Sequence, residues 1–264
     1  MKIYALRFNH DNILMDMFFS EISKPQNVII VAYGMPGAPV QRNTPFVIKA
    51  VERGFTIVAP HYIGTFDSYG KFNIENAVST IIKTAEFVHK GEGKNMLKDS
   101  LVKWQIKAIT LLGWSFGGSV ALVAGAKSPY VNKIIAISAP TDYRTHAKSY
   151  NEEKLEGLSK TMSLLYPNTW RIDPQEAWSK FLKGKLDLNA IDYVNKLNRK
   201  EILFIHGTND TVVNSKRAKE LYEKLDKNKF KKEILLLKDK GHIDVKDLDE
   251  NDIFDRISSF IGKD

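Results

Sequence analysis

Hydrophobic positions along the chain follow two alternating rhythms. Short runs that are apolar at nearly every position read as strands buried on both faces. Longer stretches with apolar residues every third or fourth position read as helices packed by one face. Two apolar segments come first, Ile3–Phe8 and Ile13–Ile22, parted by the polar Asn9-His10-Asp11-Asn12, which reads as a hairpin turn. Val28–Ala32 and Phe55–Ala59 are continuous apolar runs with a helical stretch at about Pro45–Arg53 between them. From Asn73 to His89, Ile74, Ala77, Val78, Ile81, Ile82, Ala85 and Val88 recur at helical spacing. Ile109–Leu112 and Lys133–Ser138 are further buried strands flanking a helical pattern at Gly118–Lys127. Between Ala139 and about Leu197 no strand pattern occurs, and aromatic-rich helical pieces take over. Glu201–His206 resumes the sheet, followed by a helix at about Ser215–Leu225, a strand at Lys232–Leu237 and a helix at about Leu248–Ile261. This order predicts an α/β fold whose mostly parallel eight-stranded sheet is flanked by helices and entered through an antiparallel hairpin. The core is expected over 1–140 and 198–264, with a helical cap inserted at 141–197.

One junction in this pattern carries chemistry. Gly113-Trp114-Ser115-Phe116-Gly117 lies where an apolar strand passes straight into a helix. A turn that tight leaves no room for Cβ atoms two residues to either side of its apex, and it pushes the Ser115 hydroxyl out of the sheet. The strand–turn–helix context identifies this as the nucleophile elbow of the α/β-hydrolase fold, which the chain resembles. A serine needs a base, and the base an orienting acid. This fold supplies them in the order Ser, Asp or Glu, then His. Two later segments fit: His206-Gly207-Thr208-Asn209-Asp210-Thr211-Val212-Val213 after the resumed strand, and Lys240-Gly241-His242-Ile243 after the last one.

Together with Tyr33-Gly34-Met35-Pro36, Pro60-His61-Tyr62-Ile63-Gly64 and Ser138-Ala139-Pro140-Thr141-Asp142, these segments are most similar to the catalytic domain of prolyl oligopeptidase-type peptidases and their esterase relatives. The resemblance implies Ser115 as nucleophile, Asp210 as acid and His242 as base. It also implies two oxyanion donors, the backbone N–H groups of Phe116 and Met35. Pro36 has no N–H to offer, and Tyr33 replaces the histidine often found before Gly34. Blander roles compete for some of these residues. Asp210 would also suit a turn or helix cap, as would Asp142, and Asp244 is too near His242 in sequence to orient it. His206 and His61 read as structural or pocket-lining. Tyr33, Tyr62, Tyr166, Trp170 and Trp178 are candidates for substrate contact, with core packing as the alternative.

Composition narrows the classes. Over 264 residues, 43% hydrophobic and 27% charged residues are those of an ordinary globular protein. No apolar run is long enough to span a membrane, and no segment reads as a signal peptide, so a cytoplasmic location is expected. Cysteine is absent, which removes disulfides and thiol nucleophiles. No His/Asp/Glu cluster has metal-ligand spacing, and no cofactor is expected. A net charge of +8 is spread among acidic residues, which argues against nucleic acid as partner. The expected activity is hydrolysis of a small carboxylic ester or amide through an acyl-enzyme, carboxylesterase-like. The alternative is an aminopeptidase or acylaminoacyl-peptidase-like action on short peptides. Acyl transfer to another nucleophile and non-catalytic binding on the same fold are lesser rivals. An aminopeptidase needs carboxylates near the site for the substrate ammonium. Glu152, Glu153 and Glu156 are available, although their spacing reads first as a solvated helix face.

Overall fold

The computed structural model describes residues 1–172 and 176–262. The chain opens with β1 (Tyr4–His10) and β2 (Ile13–Phe19), then β3 (Gln26–Ala32), α1 (Pro45–Glu52), β4 (Thr56–Pro60) and α2 (Ile74–Lys90). A short ribbon, β5 (Glu92–Asn95) and β6 (Ser100–Lys103), precedes β7 (Ile106–Trp114), α3 (Phe116–Lys127) and β8 (Lys133–Ile137). After α4 (Leu155–Leu165), α5 (Glu176–Leu182) and α6 (Val194–Leu197) come β9 (Glu201–Gly207), α7 (Lys216–Lys224), β10 (Lys232–Leu237) and α8 (Asn251–Ile261). Eight strands form one sheet in the order β1-β2-β4-β3-β7-β8-β9-β10. β2 pairs antiparallel with both β1 and β4, and every other pairing is parallel.

The entry hairpin turns on Asp11 and Asn12, both at positive φ (52° and 64°). These short polar side chains tolerate that region, and the two-residue turn sets His10 opposite Ile13. All seven residues of β3 are buried, so helices cover both faces of the sheet there, as its unbroken apolar run requires. α3 lies against β7 and β8, with every residue from Phe116 to Ala126 buried. α1 and α8 meet through Phe46 and Phe254, whose ring centroids are 6.2 Å apart.

Between β7 and α3 the chain passes through Ser115 at φ 53°, ψ −127°. Neighbouring backbone crowds both glycines of this turn. A Cβ on Gly113 would lie 2.2 Å from the Gly117 carbonyl oxygen, and one on Gly117 would lie 2.1 Å from that of Ala32. The second contact shows why the turn belongs to the whole fold. The first turn of α3 presses on the end of β3, the neighbouring strand, and only a hydrogen fits between them.

Two elements differ from the reading of the sequence. The strands of the β5–β6 ribbon, Glu92-Gly93-Lys94-Asn95 and Ser100-Leu101-Val102-Lys103, carry no apolar alternation. The ribbon forms because Asn95 and Met96 bond the outer edge of β1: Asn95 Oδ1 accepts from Arg7 N–H at 3.2 Å, and Met96 N–H donates to the Arg7 carbonyl at 2.8 Å. The last helix starts at Asn251, after a 3₁₀ turn over Val245–Asp247 in which Asp244 and Asp247 cap each other's backbone.

The segment between β8 and β9 holds α4, α5 and α6 and contributes no strand to the sheet among the described residues. Its first part is pinned by a buried ion pair. The Glu152 carboxylate accepts Arg217 Nε and Nη2 at 2.5 and 2.6 Å, together with the N–H groups of Ala147 and Asn214, both at 2.9 Å. Burial pushes the Glu152 carboxyl up, but Arg217 and the two N–H groups outweigh it and hold the pKa below the ordinary glutamate value. Glu152 is therefore neither on a solvated helix face nor free to bind a substrate ammonium.

Two outcomes follow from this packing. Gly117→Ala should cost at least about 2 kcal/mol of unfolding free energy in urea titration, because the new methyl meets backbone that is held on both sides. Glu152→Gln should cost about 3 kcal/mol at pH 7, since it leaves Arg217 buried and half-paired. The depressed Glu152 pKa contributes stability that is fully present above the unfolded-state value, near pH 4, and is lost as pH falls through the folded-state value. Thermal melts from pH 7 down to pH 3 should accordingly show a shallower acid loss for Glu152→Gln than for the wild type.

Candidate functional site

Three parallel strands deliver three side chains to one edge of the sheet. Ser115 follows β7, Asp210 stands three residues after β9, and His242 follows β10. Each position lies beyond a strand carboxyl end, where open α/β sheets gather their functional groups. The Ser115 N–H donates to the Ile137 carbonyl at 2.8 Å, which ties the apex of the elbow to the end of β8.

Asp210 is buried and fully engaged. Its Oδ1 accepts the N–H groups of Val212 and Val213 at 3.0 and 2.9 Å, and its Oδ2 accepts His242 Nδ1–H at 2.8 Å. His206 Nε2 lies 3.3 Å from the same Oδ2. Burial pushes this carboxyl up, but the hydrogen bonds from His206, His242 and Val213, with the charge of His242, hold its pKa well below the usual aspartate range. The group is therefore an anion throughout the neutral range and fixes the hydrogen of His242 on Nδ1. Nε2 is left with a lone pair able to accept a proton.

Ser115 and His242 line one cavity of about 470 Å³. Met35 and Phe116 line it too, and the Phe116 N–H belongs to the first turn of α3, where no intrahelical carbonyl is available to it. The walls are mostly apolar, formed by Trp114, Tyr143, Leu155, Leu158, Phe181, Val212 and Val213. Tyr143 is braced from behind: Ser119 Oγ lies 3.0 Å from its hydroxyl and donates to the Pro140 carbonyl at 2.5 Å. Besides Ser115 and His242, the polar residues on the lining are His146, Glu153, Lys154, Thr161 and Asp244. Burial lowers the His146 pKa against the pull of the Glu152 carboxylate.

The five aromatic residues expected to touch substrate do not line this cavity. Tyr33 and Tyr62 are wholly buried and stack at 4.2 Å. The Tyr62 hydroxyl donates to the Tyr33 carbonyl at 2.9 Å, and the Tyr33 hydroxyl accepts the Tyr62 N–H at 3.0 Å. The pair braces the loop that carries Met35 from beneath. Trp170 is 1% exposed, packs edge-on to Phe72 and donates Nε1–H to the Gly37 carbonyl. Trp170 and Trp178 line a separate cavity of about 560 Å³. Tyr166 ends α4, half-buried, and lines neither cavity. Helical spacing shows that such residues are buried but not which side of a short helix meets which cavity. Tyr143 and Phe181, equally aromatic and in the same insertion, are the ones that reach the site. His146 had no pattern to mark it, because its place depends on the turn closed by Glu152. The His61 imidazole is also buried, away from this cavity, with Nδ1 accepting the Asp67 N–H at 3.2 Å. Among the described residues no group of three or more His, Cys, Asp or Glu could hold a metal ion. No helix among them is long and apolar enough to cross a membrane.

No curated protein matches the chain significantly. Among solved structures, an esterase from Pyrococcus furiosus superposes with TM-score 0.68 at 16% identity, covering 98% of this chain and 90% of that one. A monoacylglycerol lipase from Paleococcus ferrophilus gives TM-score 0.59 at 19% identity, covering 99% of both chains. An acylaminoacyl peptidase from Pyrococcus horikoshii gives TM-score 0.60 at 14% identity, covering 98% of this chain and 40% of that longer one. These likenesses establish the α/β-hydrolase fold. The model of the prolyl oligopeptidase family matches residues 42–264, a span that takes in the elbow and both of the late segments. By that match the chain belongs to the prolyl oligopeptidase family, as a hydrolase of the α/β class.

Proposed function

We propose that this protein is a serine hydrolase that cleaves a small carboxylic ester through an acyl-enzyme, with Ser115, His242 and Asp210 as its catalytic triad. The observation that carries this reading is the 2.8 Å bond from His242 Nδ1–H to the buried Asp210 carboxylate, in a histidine that shares a cavity with the strained Ser115. Ser115 Oγ attacks the carbonyl carbon while its proton passes to His242 Nε2. Asp210 stabilises the resulting imidazolium. The N–H groups of Phe116 and Met35 receive the developing oxyanion, each supplying about 3 kcal/mol. Collapse of the tetrahedral intermediate releases the alcohol, which takes the proton from His242. Water then repeats the sequence on the acyl-enzyme and frees the acid.

The mostly apolar walls favour an uncharged acyl group over a charged one, which supports an esterase. A second reading, cleavage of short peptides, has its own support in the carboxylates of Glu153 and Asp244 on the lining, either of which would suit a substrate ammonium. Glu153 is exposed and not taken up by a buried ion pair as Glu152 is, whereas Asp244 already caps the 3₁₀ turn and lies 3.3 Å from Lys246 Nζ.

Nitrophenyl esters of increasing acyl length, assayed beside aminoacyl nitroanilides, separate the two readings. Turnover of short esters with little on the anilides is the expected result. Preference for the anilides, lost in Glu153→Gln or Asp244→Asn, would favour the peptidase. Ser115→Ala should lower kcat by at least about ten-thousand-fold and abolish labelling by a fluorophosphonate. Asp210→Asn should lower kcat by roughly ten-thousand-fold while the melting curve stays cooperative, because the amide still meets the two backbone N–H groups but favours the wrong imidazole tautomer.

A further inference from the structure

His206 is a buried group that the reaction as written leaves unused, yet it touches the machinery. It is the penultimate residue of β9 and is wholly buried. Its Nε2 lies 2.8 Å from the Val213 carbonyl oxygen and 3.3 Å from Asp210 Oδ2. Both neighbours are acceptors, so the ring hydrogen sits on Nε2 and is shared between them. Nδ1 is buried without a hydrogen-bond partner among the described residues. An empty buried acceptor is a standing cost, which an apolar side chain such as its neighbours Phe204 and Ile205 would avoid. What the imidazole supplies, and they do not, is the Nε2–H.

That hydrogen has a defined job at the carboxylate. Asp210 Oδ1 is held by two backbone N–H groups, which fix one end of the group. Oδ2 has His242 as a donor, but His242 is partly exposed at the cavity wall and must accept and release a proton there. Without a second, immobile donor, the catalytic end of the carboxylate would be the loose end. We infer that His206 is a positioning residue for the acid: its Nε2–H holds Asp210 Oδ2 toward His242 Nδ1 and takes up part of the charge on that oxygen. This rests on the triad reading above.

The sign of the effect follows from charge. When the donor is removed, Oδ2 keeps more of its negative charge for His242, and the protonated form of the base is favoured. Protonation then persists to higher pH, so the acid limb of the kcat/KM profile moves up. His146, Glu153, Lys154 and Asp244 also line the cavity with His242, and Lys240 lies two residues before it. They are the same in the wild type and the variant, so a difference between the two profiles reports on His206.

The test compares the wild type, His206→Leu and His206→Gln as purified full chains on a short-chain nitrophenyl ester across pH 5 to 9. Fluorophosphonate labelling and thermal melts are followed in parallel. Glutamine carries an amide N–H about as far from the backbone as His Nε2. For His206→Leu we expect kcat to fall about tenfold with KM within about twofold, and the acid limb to rise by about half a pH unit. His206→Gln should recover most of both. If His206→Leu loses its cooperative melt, His206→Asn, too short to reach Oδ2, replaces it in the same comparison. A variant that melts at lower temperature but keeps the wild-type pH profile and kcat would reduce His206 to a structural staple and overturn the inference. So would a glutamine variant no better than the leucine or asparagine one. A wild type that neither turns over esters nor labels at Ser115 would remove the triad reading itself, a result distinct from an active wild type with an unmoved variant.

Discussion

The rest of this structure depends on the close passage of backbone at Gly113–Gly117. Ser115 sits at φ 53° because the strand β7 ends and the helix α3 begins within a single residue. That is affordable only where no Cβ intervenes, with Gly117 against the Ala32 carbonyl and Gly113 against Gly117. The strain is held by burial. β3, β7 and α3 are packed so completely that the turn has nowhere to relax. The same contact sets the end of β3, and with it the loop carrying Met35, beside the N-terminus of α3. The proposed nucleophile and both proposed oxyanion donors are thus placed by one packing constraint.

The side of the site around Asp210, the proposed acid, is organised differently, by satisfied charge. Two buried carboxylates share one short stretch of backbone. Asp210 takes the N–H groups of Val212 and Val213, and Glu152 takes that of the next residue, Asn214. Glu152 comes from the insertion and is locked to Arg217 of α7. The segment between β8 and β9 is thereby fastened to the turn that carries Asp210, and His146, Glu153 and Lys154 of its first part reach the cavity wall. Neither carboxylate could stand alone in such a place, since an unpaired buried anion costs far more than either pair returns.

How much of this was legible in the sequence depends on range. The sheet strands show in the chain as apolar runs, because a strand buried on both faces has no polar position to spare. The β5–β6 ribbon leaves no such trace. It is held by an asparagine and by backbone bonds to β1, and those obey no period. Ser115, Asp210 and His242, the proposed triad, stand out as a set in the sequence because each follows a strand end in a fixed order. Glu152 was misread: its neighbours Glu153 and Glu156 are exposed, and nothing local distinguishes the one carboxylate that has an arginine 65 residues away. The aromatic residues of the insertion show the same limit. Tyr143 and Phe181 reach the cavity, while Trp170 and Trp178 face another.

The sequence by itself determined the strand–helix order and the elbow, and it suggested the residues of the proposed chemistry, since these rest on spacing and residue type within a few positions. Tertiary structure alone decided which side chains wall the cavity, which carboxylates are taken up by partners, and that a second histidine shares the Asp210 oxygen. The physical reason is that hydrophobic burial is encoded locally, as a period along the chain. The pairing of a buried polar group is settled only when distant segments are brought within hydrogen-bond reach.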